Sequence, residues 1–160
     1  VVANMYLGRE STKSFWRLDE NSMEQACLET LDSLSVTTIS SVRQAVAGLS
    51  GGQRQAIAVA KAVMWNSRLV ILDEPTAALG VAQTRQVLDL VRRLADKGLA
   101  VVLISHNLHD IFEVADRITV LRLGEKVAEL NASETSQQQV VHAITAGMLE
   151  HVPGMKEGVE

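Results

Sequence analysis

Cysteine is nearly missing from this chain. Cys27 is the one thiol among 160 residues, so no internal disulfide can form and the reducing cytoplasm is the expected compartment. Proline is almost as scarce, with 2 residues against 10 glycines, in a composition that is 47% apolar and 21% charged. That balance excludes collagenous, low-complexity and disordered classes and leaves an ordinary globular chain, long enough for one domain with a core. Long apolar runs are lacking too. The longest, Leu99 to Ile104, has six residues, far below the roughly 18 to 20 that cross a bilayer. Residues 1–6 carry neither the basic start nor the apolar centre of a secretory signal. Positive charge is not in excess: 15 Lys and Arg face 19 Asp and Glu, a net charge of −4. No broad basic field is therefore offered to nucleic acid or anionic lipid, and a phosphate site would have to be local. No Cys or His pair has zinc-ligand spacing.

What is there is an alternation of periods. Residues 1–48 read as mostly helical, with a helix over Asn21 to Leu34 whose apolar face is Met23, Ala26, Cys27, Thr30, Leu31 and Leu34. Ser35 to Gly48 reads as a loop with one helical turn. From Leu49 onward helix and strand alternate. The spacing predicts a helix from Gly52 to Trp65, a strand Leu69 to Leu72, and a helix Val81 to Lys97 closed by Gly98. A strand Ala100 to Ile104 follows, continuous enough to be buried on both sheet faces. Then come a short helix Leu108 to Ala115 and a strand Arg117 to Leu121, which turns at Leu123 to Glu125 into a hairpin partner, Lys126 to Leu130. A helix Ser133 to Gly147 and a frayed tail, residues 151–160, complete the reading. Short connections between alternating elements are the pattern of an α/β layer with a parallel sheet.

Three segments carry chemistry. Leu49-Ser50-Gly51-Gly52-Gln53 stands at a helix start, where the S-x-x-Q spacing of Ser50 and Gln53 makes a capping box. Two glycines leave backbone N–H groups uncovered at the positive end of the helix dipole, a setting for an anion. A capped glycine turn with no ligand is the plain alternative. The strand Leu69-Val70-Ile71-Leu72 ends in Asp73-Glu74-Pro75, two carboxylates at the end of a parallel strand, where open α/β sheets bind ligands. Asp73 suits a hard cation and Glu74 the activation of a water. Pro75 is expected to hold Glu74 extended. A polar strand end is the alternative here. Ser105-His106-Asn107 sits at the end of the next strand, where a neutral imidazole could touch a phosphate oxygen or simply be a structural histidine. His109, His142 and His151 read as solvated or helix-surface residues.

Their order and spacing, with the intervening helix and Arg117-Ile118-Thr119-Val120-Leu121, resemble the second half of an ATP-binding cassette (ABC) ATPase over residues 48 to 131. Leu49 to Gln53 matches the signature motif, Leu69 to Glu74 Walker B, and His106 the switch histidine. The resemblance implies a P-loop NTPase-like parallel sheet flanked by helices, with a partial helical subdomain in residues 1–48, core in 49–150 and tail in 151–160. It implies ATP and Mg²⁺ as cofactors, with Asp73 holding Mg²⁺, Glu74 as general base and His106 on the γ-phosphate. Ser50, Gly51, Gly52 and Gln53 would contact the ATP of an opposite subunit. The implied partners are a second ATPase subunit, membrane-spanning permease subunits and, indirectly, a periplasmic sugar-binding protein, at the cytoplasmic face of a bacterial inner membrane. Thr76 to Thr84 and Gly52 to Ala62 resemble the ATPases of ribose-, xylose- and fructose-type importers.

The pattern departs from the family in two places. No G-x-x-x-x-G-K-[S/T] phosphate cradle occurs in the 160 residues, and Gly8-Arg9-Glu10-Ser11-Thr12-Lys13 has the wrong order. With Val1 in place of an initiating Met, the expectation is a C-terminal piece without its P-loop and Q-loop. Such a piece would be inactive alone, and a non-catalytic interaction module contributing a signature face is the alternative function. Second, Ala77-Ala78-Leu79-Gly80 has Gly80 where the family usually has Asp, which puts that cross-subunit contact in doubt. A DNA-repair cassette would carry heptads that residues 1–48 lack, and the net charge of −4 offers no support for a ribosome-associated one.

Overall fold

The computed structural model describes residues 1–14, 17–65 and 67–147. The chain divides into two compact units, Val1–His106 and Asn107–Glu160. In the first, α1 (Val2–Met5) leads to a two-stranded antiparallel hairpin, β1 (Thr12–Ser14) and β2 (Arg17–Leu18). This hairpin corrects the mostly helical reading of residues 1–48. Its described residues are all exposed, so no apolar alternation marks it, and the Lys13–Asp19 ion pair at 3.2 Å helps close it. α2 (Glu20–Ser33) starts at Asp19, whose side chain accepts from the Ser22 N–H, and buries Met23, Cys27 and Leu31 as its periodicity predicts. Burial pushes the Cys27 thiol up to about 11, which makes it a core residue rather than a nucleophile. The loop from Ser35 contains the expected turn, a 3₁₀ segment at Val46–Gly48.

α3 (Gly51–Met64), β3 (Leu69–Asp73), α4 (Val81–Asp96) and β4 (Ala100–Ile104) follow within about a residue of their expected limits. α4 stops where Lys97 caps it and Gly98 takes φ +81°, a left-handed value natural to glycine. α3 packs on both α2 and α4, and α4 lies over β4. Arg93 on α4 donates from Nε to the Leu34 carbonyl at 2.8 Å, satisfying the C-terminal end of α2. At the other end of α3, Trp65 donates from Nε1 to the Met5 carbonyl and stands edge-on to Tyr6, with ring centroids 5.4 Å apart.

β3 and β4 pair in parallel, Leu69 opposite Ala100 through Asp73 opposite Ile104. One face carries the buried Val70 and Leu72. The other is open: Ile71 is 62% exposed, Leu69 50%, Ile104 49% and Val102 45%. The expectation that Ala100 to Ile104 is covered on both faces is thus wrong for this chain. Its composition fits two-sided burial, but the described residues of this unit supply a helical layer to one side only.

The second unit is α5 (Leu108–Val114), a hairpin of β5 (Arg117–Arg122) and β6 (Glu125–Asn131), and α6 (Gln137–Ala146). Leu123 and Gly124 turn the hairpin with φ values of +51° and +85°, the two positive angles of a tight primed turn. Ile118, Val120, Ala128 and Leu130 face Val140 and Ala143 to make its core. α6 begins later than the expected Ser133. Ala132–Glu134 form a 3₁₀ turn, and the Ser136–Gln139 capping box sets the start. The expected tail, residues 151–160, lies outside the described residues. No described helix is long and apolar enough to cross a membrane.

Candidate functional site

The carboxyl ends of β3 and β4 lie side by side because the strands are parallel and in register to their last residues. Asp73 is exposed there on the uncovered face. Immediately beyond it the Glu74 N–H donates to the Ile104 carbonyl at 2.9 Å, extending the ladder by one bond. Glu74 is not extended as Pro75 led one to expect: its φ is +45°. The proline ring disfavours the right-handed helical region; the backbone here takes the left-handed side instead of the extended one, and the side chain reaches His106 beyond the next strand. A non-glycine residue held there costs of order 1–3 kcal/mol, strain of a kind that clusters at functional sites.

The side chain is put to use. Glu74 Oε1 accepts from the His106 N–H at 3.1 Å and lies 2.8 Å from His106 Nδ1. Its Oε2 is buried and has no hydrogen-bond partner among the described residues. The imidazole itself is 84% exposed. The hydrogen bond to Glu74, and then its negative charge, raise the pKa of His106 above the ordinary histidine value. Because the folded value is the higher one, the pair's contribution to stability is complete below the unfolded histidine pKa, about 6.5. It is lost as pH rises through the raised folded value. An NMR titration of the His106 ring should therefore give a midpoint above the ordinary histidine value, and Glu74→Gln should bring it down. An unchanged midpoint in the variant would show that Glu74 does not hold the proton.

The second element is the turn at Ser50–Gln53, the first turn of α3. The predicted capping box is present in full. Ser50 Oγ accepts from the Gln53 N–H at 3.3 Å, and Gln53 Oε1 accepts from the Ser50 N–H at 2.9 Å. The Gly51 and Gly52 N–H groups, first and second in the helix, have no acceptor within it. Gln53 also donates from Nε2 to the Thr38 carbonyl at 2.6 Å, so both amide atoms are engaged inside the chain. The turn rests on the loop that leaves Glu74. A Cβ on Gly51 would come 2.7 Å from Leu79 Cδ2, and one on Gly52 would come 3.2 Å from Gln83 Cβ. Sequence reasoning missed this contribution of Leu79 and Gln83. A signal was available, since Gly80-x-x-Gln83 repeats the spacing of Ser50-x-x-Gln53.

The structure thus brings Glu74 and His106 together and leaves Asp73 exposed beside them. His109 is a helix-surface residue, 3.9 Å from Glu113, and His142 is exposed on α6. His151 lies outside the described residues.

A family described as ABC transporter matches residues 4–77, which includes the Ser50–Gln53 turn and the Asp73-Glu74 strand end. The fructose import ATP-binding protein FrcA of Rhizobium meliloti is 44% identical over 151 residues, 91% of this chain and 58% of that protein. The chain is similar to ABC transporter ATP-binding proteins over most of its length. The xylose/arabinose import ATP-binding protein XylG of Sulfolobus acidocaldarius is 41% identical over 152 residues, 95% of this chain and 60% of that protein. Among solved structures, an inward-facing ABC transporter of metal-chelate type superposes with a TM-score of 0.71. It is 25% identical over 91% of this chain and 57% of that one. The ABC fold, helices with a parallel sheet, accords with the P-loop NTPase-like α/β reading. The chain spans about three-fifths of the length of the curated relatives it matches here.

Proposed function

We propose that this chain is the signature- and Walker B-bearing part of an ATP-hydrolysing subunit that energises monosaccharide import. The observation that carries the reading is the Glu74–His106 pair, set 2.8 Å apart at the ends of parallel strands in a relative of sugar-import ATP-binding proteins. Glu74 is the general base: its carboxylate stands at the strand end beside His106, with Oε2 unpartnered among the described residues and basic enough to take a proton. His106 is held by Oε1 with most of its ring exposed, placed to contact a γ-phosphate. Ser50 and the free N–H groups of Gly51 and Gly52 face the ATP of a second subunit, where a helix start stabilises developing negative charge. Gln53 serves that site by fixing the turn.

The donor set fits Mg²⁺ in one specific way. No group of three His, Cys, Asp or Glu able to hold a metal occurs among the described residues, so Asp73 would be a lone carboxylate. Mg²⁺ is commonly held by one or two carboxylates together with water and substrate phosphates, and an exposed Asp73 suits that arrangement. When bound, the ion would neutralise phosphate charge. The partners of the whole subunit are then a second ATPase subunit, membrane-spanning permeases and, through them, a periplasmic sugar-binding protein, at the cytoplasmic face of a bacterial inner membrane.

The 160 residues contain no G-x-x-x-x-G-K-[S/T], so on this reading the phosphate cradle is not supplied by them. The same observation favours a second reading, a non-catalytic module that offers only its signature face. An ATPase assay on the 160-residue chain at millimolar ATP is expected to show no turnover. Turnover abolished by Glu74→Gln would overturn that expectation. An in-frame cradle motif upstream of the Val1 codon supports the enzymatic reading, and a stop codon or unrelated sequence there supports the module.

A further inference from the structure

The Ser50–Gln53 turn and the loop that follows Glu74 touch through two glycines. Gly52 presents its bare Cα to the stem of Gln83, whose Cβ, Cγ and Cα lie 3.2, 3.4 and 3.8 Å from where a Gly52 Cβ would stand. Gln83 is the third residue of α4, and its Oε1 accepts from the Gly80 N–H at 2.8 Å. Gly80 has no side chain with which to return the bond, so this start is capped from one side only. The amide pins the rotamer of Gln83, and the rotamer sets the surface on which Gly52 rests. Between Glu74 and Gly80 the backbone is short and internally bonded, Ala77 N–H to the Glu74 carbonyl at 3.1 Å and Leu79 N–H to that of Thr76 at 3.2 Å. On its far side the turn is tied by Gln53 to the Thr38 carbonyl.

We propose that Gln83 is a positioning residue that locks the Ser50–Gln53 turn to the loop leaving Asp73 and Glu74, so that the two shift as one body. A displacement at Glu74 then reaches the anion-binding turn of the same chain through Gln83. What the turn binds rests on the reading above; the lock itself is a property of this chain and is tested without nucleotide.

The test is amide hydrogen exchange on the 160-residue chain. Gln83→Ala removes Cγ and the Gly80 acceptor. It should speed exchange about tenfold at Ser50, Gln53 and Arg54 as well as at Gly80 and Thr84, the scale of one lost hydrogen bond. Ile118 and Val120 should be unaffected. Gln83→Glu keeps the stem and the acceptor and should exchange as the parent does. If Gln83→Ala affects only Gly80 and Thr84, the residue merely caps α4 and the proposal fails. It fails equally if Gln83→Glu is as disruptive as Gln83→Ala. Should Gln83→Ala unfold the chain, Gly52→Ala decides from the other side. The added methyl should speed exchange at Gly80 and Thr84, and an effect confined to residues 50–54 overturns the lock. Failure of the ATPase reading would show instead as absent turnover in the complete subunit, whatever the exchange pattern.

Discussion

Glu74→Gln should lower ATP turnover in a subunit that supplies the phosphate cradle by about 10²- to 10⁴-fold, the range that a positioned general base contributes. The effect should fall on kcat with little change in nucleotide affinity, because the exchange removes basicity while sparing the geometry. A glutamine side-chain oxygen can still accept from the His106 N–H, now at 3.1 Å from Oε1, and the backbone bond from residue 74 to the Ile104 carbonyl is untouched. What is lost is the basicity of the carboxylate, whose Oε2 has no hydrogen-bond partner among the described residues. Steady-state kinetics on the parent and variant subunits, with nucleotide binding measured separately, decide the matter. Turnover within about threefold of the parent would remove Glu74 from the role of base and point to another group.

Leu94→Ala should destabilise the chain by about 2–5 kcal/mol, the cost of emptying a leucine site in a core that cannot collapse around it. Leu94 is fully buried, and α4, which carries it with Val87, Leu88, Leu90 and Val91, packs against α3 and β4. The same helix ties off α2 through Arg93 and begins at the loop beneath the Ser50–Gln53 turn. A void at Leu94 should therefore loosen the helical layer behind β3 and β4. Urea unfolding monitored by circular dichroism measures the loss. A change below about 0.5 kcal/mol, typical of surface positions, would show that α4 is not part of the core.

Much of this architecture was legible because the sequence states it twice, once by period and once by cap. α3 is announced by Ser50 and Gln53, α4 is closed by Lys97 and Gly98, and the β5–β6 turn by Leu123-Gly124. The strand ending in Asp73 and Glu74 needed only an apolar run followed by carboxylates. The β1–β2 hairpin was illegible for the opposite reason: all its described residues are exposed, so neither period 2 nor burial marks it. The late start of α6 shows a local competition, in which Ser136 with Gln139 captures the N-terminus ahead of Ser133.

By itself the sequence determined which residues are the candidates for the chemistry, because capping, strand-end carboxylates and residue order are local properties of the chain. It carried the family resemblance for the same reason. Only the tertiary structure decided how those residues are arranged. Glu74 takes a left-handed φ while its N–H pairs with Ile104 and its carboxylate with His106, against the local extended preference set by Pro75. One face of β3 and β4 is bare because coverage depends on what packs there, which an apolar run cannot specify. The rest of the Ser50–Gln53 turn's support, Gln83 under Gly52 and Thr38 beside Gln53, comes from residues far away in sequence. Such contacts arise from packing between elements, and packing has no period to read.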